Sequence, residues 1–251
     1  MTLSDQLTLS IVSHGHGPLV ETLVAQLDTI EALAGVKVIL TLNVPGEPFL
    51  YEIQPLHRLR LDIVRNASPL GFGANHNQAF KKCETHWYAI LNPDLSLPTD
   101  VFTPLLQTAR AENAALVAPC VVNPEGITED SVRWNLTPWS LFMRRLGVQG
   151  ESSVGDHKFR WFAGMFYIVS STAFRQIGGF DTRYFLYCED YDLCARMHLA
   201  NHKLRYEPGF RVIHDARRAS WKSSRYLVMH MKSLLRVWCS NPVWRIALKN
   251  M

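Results

Sequence analysis

Residues 7–42 read LTLSIVSHGHGPLVETLVAQLDTIEALAGVKVILTL, and this stretch decides the fold. The opening LTLSIVS, residues 7–13, is a short apolar β run. It breaks at the glycine-rich turn His14-Gly15-His16-Gly17-Pro18. Leu19, Leu23, Leu27 and Ile30 then recur at helical spacing. VKVILTL, residues 36–42, is a second strand, closed by Asn43-Val44-Pro45-Gly46. Strand, helix and strand within so short a length mark a parallel α/β sheet.

Outward from this unit, further elements follow in the same style. A third strand is expected over 59–64, a helix over 75–82 and a strand over 86–91 that ends at Asn92-Pro93-Asp94. A helix over 99–112 and a strand over 115–122 come next. Residues 124–158 are less regular and read as a connection, with a short helix over 139–146. A strand over 162–170, a short helix over 171–177, a helix over 189–201 and edge strands over 204–206 and 211–214 complete the body. In the tail, Leu227, Val228, Met231, Leu234, Leu235 and Trp238 share one helical face, with Lys222, Arg225, Lys232 and Arg236 on other faces. Two parts are expected: an α/β domain over 1–216 and a basic helical extension over 217–251, packed on the domain or on a membrane surface.

Composition bounds the function. With 251 residues and 47% hydrophobic content, the chain can bury a full core. The longest apolar run, over 161–169, has nine residues, too few for a membrane span. No signal peptide is expected from the first residues. Cys83, Cys120, Cys188, Cys194 and Cys239 form no CxxC pair and read as free thiols of a reducing compartment. The net charge of +4 is uneven: 217–251 holds eight Lys or Arg and no acid, while the rest holds 18 basic and 22 acidic residues. A basic tail suits anionic lipid, a phosphate-bearing acceptor or nucleic acid. No aromatics interleave with a basic sheet face, which argues against single-stranded nucleic acid.

Four places carry candidate chemistry. Asp94 stands just past a strand's C-terminal end, where ligands bind in open parallel sheets. Its carboxylate suits Mg²⁺ or Mn²⁺ on a diphosphate, and the triplet also reads as a turn. Glu189-Asp190-Tyr191-Asp192 offers either helix-capping acids or a general base. Gly71-Phe72-Gly73, with Asn77 beyond it, lets backbone approach a ligand closely, yet is neither a dinucleotide fingerprint nor a P-loop. Asn77 faces hydroxyls or its own backbone. His214, ending an edge strand, is a metal ligand or a structural histidine.

Together, in this order, these pieces resemble glycosyltransferase family 2 of the GT-A fold, and within it the bacterial rhamnosyltransferase-like members that build lipopolysaccharide and other surface glycans. The resemblance runs from about Leu7 to Trp238. It takes in Leu9 to Ser13, Asn66, Gly71 to Asn77, Leu91-Asn92-Pro93-Asp94, Gly164-Met165-Phe166, Gly178-Gly179-Phe180-Asp181 and Phe185 to Leu193. It implies a GT-A fold with a mostly parallel central sheet flanked by helices, and inverting transfer of a sugar from a nucleotide-sugar donor. It implies Mg²⁺ or Mn²⁺ at Asp94 with His214, and a general base in the Glu189-Asp190 pair, with Asp190 favoured. Ser13, His14, Gly15, Asn43, Asn66, Gly71, Phe72, Gly73, Asn77 and Asn92 fall on the donor side. Trp161, Gly164 and Asp192 fall on the acceptor side.

The donor so implied is dTDP-L-rhamnose, with UDP-galactose, UDP-galactofuranose and UDP-GlcNAc as alternatives. The acceptor is a lipid-linked glycan at the cytoplasmic face of a bacterial inner membrane, with peripheral contact to anionic lipid and no nucleic acid. The chain departs from the family pattern in three places. Ser13-His14-Gly15 replaces Thr-Tyr-Asn, Leu42-Asn43 replaces Asp-Asn, and Asn75-His76-Asn77 replaces Ala-Asn-Asn, so an acid that would read the nucleobase is missing after the second strand. A sugar-nucleotide nucleotidyltransferase would use similar groups but wants a basic glycine-rich loop after the first strand, and Ser13 to Gly17 holds no Lys or Arg. A non-catalytic glycan-binding module is the third alternative.

Overall fold

The computed structural model describes residues 2–52, 55–146, 159–215 and 224–249. The chain runs β1 (Leu7–Ser13), α1 (Gly17–Thr29), β2 (Lys37–Leu42), β3 (Arg60–Arg65), α2 (Phe72–Phe80), β4 (Trp87–Leu91), β5 (Leu95–Ser96), α3 (Phe102–Ala111) and β6 (Leu116–Val122). It continues with β7 (Val132–Trp134), α4 (Pro138–Arg145), β8 (Arg160–Phe162), β9 (Phe166–Ser170), α5 (Ser171–Gln176), α6 (Glu189–Leu199), β10 (Leu204–His214), α7 (Ser224–Trp238) and α8 (Asn241–Lys249).

Eight strands form one mixed sheet in the order β3-β2-β1-β4-β9-β6-β10-β5, and β7 pairs with β8 in a small second sheet. Pairings β1–β2, β1–β4, β2–β3 and β6–β10 are parallel, whereas β9 runs antiparallel to both β4 and β6. Side chains alternate across the sheet as the two-residue strand period requires. Leu7, Leu9 and Ile11 of β1, Val38 and Leu40 of β2 and Phe166 and Ile168 of β9 join α1 and α3 in one core. Ile39, Tyr88, Ile90, Tyr167 and Val169 point the other way, into a second core with α6, α7 and α8. This is an α/β sheet covered on both faces, as expected.

Three differences from the sequence reading have physical causes. The helix expected over 75–82 begins at Phe72, because Gly71 is its extended N-cap and the glycine motif lies inside the first turn. The strand expected over 162–170 is two strands in two sheets, broken at Ala163, Gly164 and Met165. Apolar periodicity cannot reveal such a break, since both halves are buried. The separate edge strands are one strand, β10, with a register shift between Glu207 and Arg211. The expected irregular segment includes β7, and its residues 147–158 lie outside the described part, as does the boundary at 216–217.

This topology sets the site. The order reverses between β1, which leads to β2 and β3, and β4 beside it, so the carboxyl ends of β1 and β4 mark the switch point at which such sheets bind ligands. Because β9 is antiparallel, its start meets the end of β4, with Leu91 opposite Phe166. Short β5 folds back on β10, pairing Leu95 with His214. Asp94, Gly164 and His214 therefore reach the same sheet edge.

Candidate active site

On one side of the edge sit Asp94 and His214. The backbone N–H of Asp215 donates to the Asp94 carbonyl at 2.9 Å, fixing the turn that bears the carboxylate. His214 Nε2 lies 3.2 Å from Asp94 Oδ1, and Nδ1 lies 2.8 Å from Glu129 Oε2. Burial pushes the imidazole toward its neutral form, but the flanking carboxylates of Asp94 and Glu129 outweigh it and hold the pKa above the ordinary histidine value. Asp94 Oδ1 is shielded from solvent and lacks an aligned hydrogen-bond donor. Among the described residues no group of three or more His, Cys, Asp or Glu is arranged to hold a metal on its own. A solvent-shielded carboxylate oxygen 3.2 Å from an imidazole nitrogen nevertheless suits a hard divalent cation such as Mg²⁺ or Mn²⁺. Glu129 would then orient the histidine from its far nitrogen. Sequence reading missed Glu129, which is placed by a turn folding back on β6 through Glu129 N–H to Val121 O, 2.8 Å.

On the other side sit Glu189 and Asp190, at the first turn of α6. The two residues before them, Tyr187 and Cys188, have φ of 71° and 65°. Left-handed backbone at neither Gly nor Asn is costly and clusters at functional sites. Asp190 is half-buried. Its Oδ2 accepts from the Gly164 N–H at 3.0 Å and its Oδ1 from the Tyr191 N–H at 2.8 Å. Burial raises its pKa, opposed by the Arg133 guanidinium and these backbone donors. Glu189 is buried, and burial together with the neighbouring Asp190 drives its carboxyl well above the carboxylate range. Arg133, also missed by sequence reading, is held by Asp130 (Nε to Oδ2, 3.2 Å) and by the Trp161 ring, whose centroid lies 5.1 Å from its Cζ.

Asp94 and Asp190 flank one short segment. Asn92 N–H donates to Met165 O at 2.9 Å, and Gly164 N–H donates to Asp190. Two hydrogen bonds through adjacent residues thus join the turn bearing Asp94 to Asp190.

The donor-side candidates form a third group. Asn43 takes N–H from Leu70 and from the Asn66 amide on its Oδ1 and donates to Leu70 O and His14 Nδ1. Asn66 also donates to Asn75 Oδ1 at 2.7 Å. This buried amide network pins the loop before α2. Ser13 is buried and donates to Glu47, a buried acid whose other oxygen has no partner. Glu47 follows β2 by five residues, near where the sequence lacked an acid. His14 and Gly15 are exposed at the rim, Gly15 with φ of 76°.

Several candidates are engaged within the protein. Both polar atoms of the Asn77 amide are taken by the Phe180 backbone, at 2.8 and 2.9 Å. A Cβ on Gly71 would stand 2.5 Å from Phe185 O, and one on Gly73 would stand 2.6 Å from Phe180 Cβ, so these glycines let α2 meet the 180–185 loop. Phe72 N–H donates to Phe185 O, and the Phe72 ring lies against Gly164. Asp192 is buried and paired with Arg196 at 2.6 Å. The Trp161 indole is buried and donates to Trp134 O, leaving Trp134 as the exposed ring of that pair. His76, bonded to Ser10 and packed on Phe72 and Phe180, is a neutral core residue whose pKa burial lowers to about 3.

Comparisons with known proteins bear on the family and the fold. Residues 49–171 match the model of Glycosyl transferase family 2. The chain is 29% identical over 245 residues to Rhamnosyltransferase WbbL of Escherichia coli (strain K12), covering 90% of each. It is 26% identical to an N-acetylglucosaminyl-diphospho-decaprenol L-rhamnosyltransferase of Mycobacterium tuberculosis, covering 92% of this chain and 83% of that protein. Among solved structures it resembles the mannosyltransferase PcManGT from Pyrobaculum calidifontis in complex with GDP-Man and Mn²⁺. The TM-score is 0.63 at 16% identity, over 92% of this chain and 64% of that one, and this likeness speaks to the fold. With motifs, sheet order and sequence in agreement, the chain is related to glycosyltransferase family 2 and, within it, to bacterial rhamnosyltransferase-like members.

Proposed function

We propose that this chain is an inverting glycosyltransferase that moves L-rhamnose from dTDP-L-rhamnose to a hydroxyl of a lipid-linked glycan, at the cytoplasmic face of a bacterial inner membrane. The observation that carries the reading is the placement of Asp94 with His214 and of Asp190 on either side of Gly164 and Met165. Both relatives are rhamnosyltransferases, which supports rhamnose as the sugar, and the diphospho-decaprenol of the mycobacterial one supports a lipid diphosphate acceptor.

In this reading Asp94 and His214 hold Mg²⁺ or Mn²⁺, which when bound neutralises charge on the departing nucleoside diphosphate. Glu129 holds the His214 ring in place. Asp190 accepts the proton of the acceptor hydroxyl as its oxygen bonds to the anomeric carbon. The bond from that carbon to the donor phosphate oxygen breaks on the opposite face, so configuration inverts. The Gly164 and Tyr191 amides fix both oxygens of Asp190, leaving lone pairs for the incoming proton. Arg133 opposes the burial that favours the protonated form of Asp190. Glu47, with one unpartnered oxygen beside Ser13, supplies an acid on the nucleobase side.

The test is an assay of the purified protein with dTDP-L-rhamnose, UDP-galactose, UDP-galactofuranose and UDP-GlcNAc, with and without Mn²⁺, on a short-chain diphospholipid glycan. Metal-dependent transfer from dTDP-L-rhamnose with inverted product configuration by NMR is expected. Transfer from a UDP-sugar alone would replace the donor, and retained configuration would overturn the mechanism.

A further inference from the structure

Among the described residues no helix is long and apolar enough to cross a membrane. Three helices nonetheless turn apolar side chains outward at helical spacing. On α7 they are Leu227 (63% exposed), Val228, Met231 and Leu235; on α8, Trp244 and Leu248 (71%); on α4 and just past its end, Trp139 (68%), Phe142 and Leu146. Single exposed apolar residues are ordinary, but a group this size on neighbouring elements marks an interaction surface.

The helices are neighbours. Trp238 Nε1 donates to Leu136 O at 2.9 Å, Asn135 Nδ2 to Val243 O at 3.0 Å, and Trp244 Nε1 to Trp238 O at 2.7 Å. They are also anchored without using the outward stripes. Ser233, Leu234 and Val237 of α7 and Val243 and Ile246 of α8 face the protein, and Leu234, Val237, Val243 and Ile246 join the core beside α6. The stripes are therefore surplus to folding.

Charge identifies the occupant. Residues 131–150 and 216–251 contain no acid, and Lys232, Arg236, Arg245 and Lys249 are exposed on α7 and α8. Cationic residues around outward aromatic and aliphatic side chains match an anionic lipid surface. We propose that α4, α7 and α8 together form a docking face for an anionic bilayer. The face adjoins the site: Ser233 Oγ donates to Leu186 O at 2.9 Å, His230 packs on the Tyr187 ring, and the Tyr191 hydroxyl bonds Asn135 at the root of α4. Docking would present the Asp190 end of α6 to an acceptor held in the same membrane, and in that purpose the proposal rests on the reading of a lipid-linked acceptor.

The test is co-sedimentation of the full chain with phosphatidylglycerol-containing vesicles and with pure phosphatidylcholine vesicles, at low and high salt. Donor binding and light scattering are measured in parallel. Binding to the anionic vesicles at least about tenfold tighter than to neutral ones, weakened by salt, is expected. Trp139→Ser with Phe142→Ser, and separately Leu227→Ser with Leu235→Ser, should each cut binding about tenfold or more, with thermal melting and donor binding unchanged. Lys232→Gln with Lys249→Gln should erase much of the anionic preference. Equal binding to both vesicles, no binding, or no effect of the serine pairs overturns the proposal. So does a dimer that the serine pairs dissolve without vesicle binding, which would assign the face to a second copy. Vesicle binding with no donor binding would instead count against the enzymatic reading alone.

Discussion

Gly164 donates its backbone N–H to Asp190 Oδ2 at 3.0 Å, and this bond joins the break between β8 and β9 to the first turn of α6. The residue after Gly164 accepts from Asn92, two positions before Asp94. Carboxylates almost a hundred residues apart in sequence are thereby held at one edge of one sheet.

The electrostatics around Asp190 predict a pH profile. Burial raises its pKa and Arg133 lowers it. A base works only when ionised, so activity should rise with pH through a limb lying above the ordinary aspartate range. Removing Arg133 removes the opposing charge, and Arg133→Met should move that limb to still higher pH. The check is kcat/KM against pH for both proteins. A limb that stays put or moves down would remove Arg133 from this role.

The glycines make a stability prediction. Cβ atoms at 71 and 73 would collide with Phe185 O and Phe180 Cβ, whereas one at 164 would meet the Phe72 ring and Asp190 Cβ at ordinary contact distance. Gly71→Ala and Gly73→Ala should each cost about 1–3 kcal/mol. At roughly 2–4 °C per kcal/mol for a domain of this size, the loss should be plain in thermal melting. Gly164→Ala should melt close to the parent.

Much of this was legible in the sequence. The strand–helix–strand opening and Asn92-Pro93-Asp94 at a strand end follow from period and position, and the acids after Phe185-Leu186-Tyr187 were singled out by the family resemblance. Glu129, Arg133 and Glu47 were not, because they sit in turns and a three-residue strand where no periodicity marks a direction. Gly71 and Gly73 read as room for a ligand, yet the room is filled by Phe185 and Phe180, partners more than a hundred residues away. In the tail, one apolar face was read from Leu227 to Trp238. The fold divides it, burying Leu234 and leaving Leu227, Met231 and Leu235 outside, since α7 packs through Ser233, Leu234 and Val237.

Glu129 should act through His214. Its Oε2 lies 2.8 Å from Nδ1, opposite the nitrogen that faces Asp94. Glu129→Gln should weaken Mn²⁺ affinity by about 10–100-fold, the usual cost of losing such a partner, with little change in melting. Calorimetric titration of Mn²⁺ with nucleoside diphosphate present measures it.

Glu47 predicts an effect on donor binding. One oxygen is bonded to Ser13 and the other is buried without a partner, at the carboxyl end of the β1–β2 pair. Glu47→Gln should weaken dTDP-sugar binding by roughly tenfold, within the range for losing a charged hydrogen bond. The comparison with a sugar diphosphate lacking the base checks it, because that compound should bind both proteins alike.

The central claim is that Asp190 removes the acceptor proton in a site whose donor diphosphate is held on the Asp94 side. Its most direct measurement is single-turnover transfer alongside donor affinity in Asp190→Asn (D190N) and Asp94→Asn (D94N). D190N should bind donor with Mn²⁺ as the parent does while transfer falls by about 10²–10⁴-fold, and D94N should lose the metal-dependent part of donor binding. Transfer at the parental rate by D190N, with its fold intact, would contradict the account.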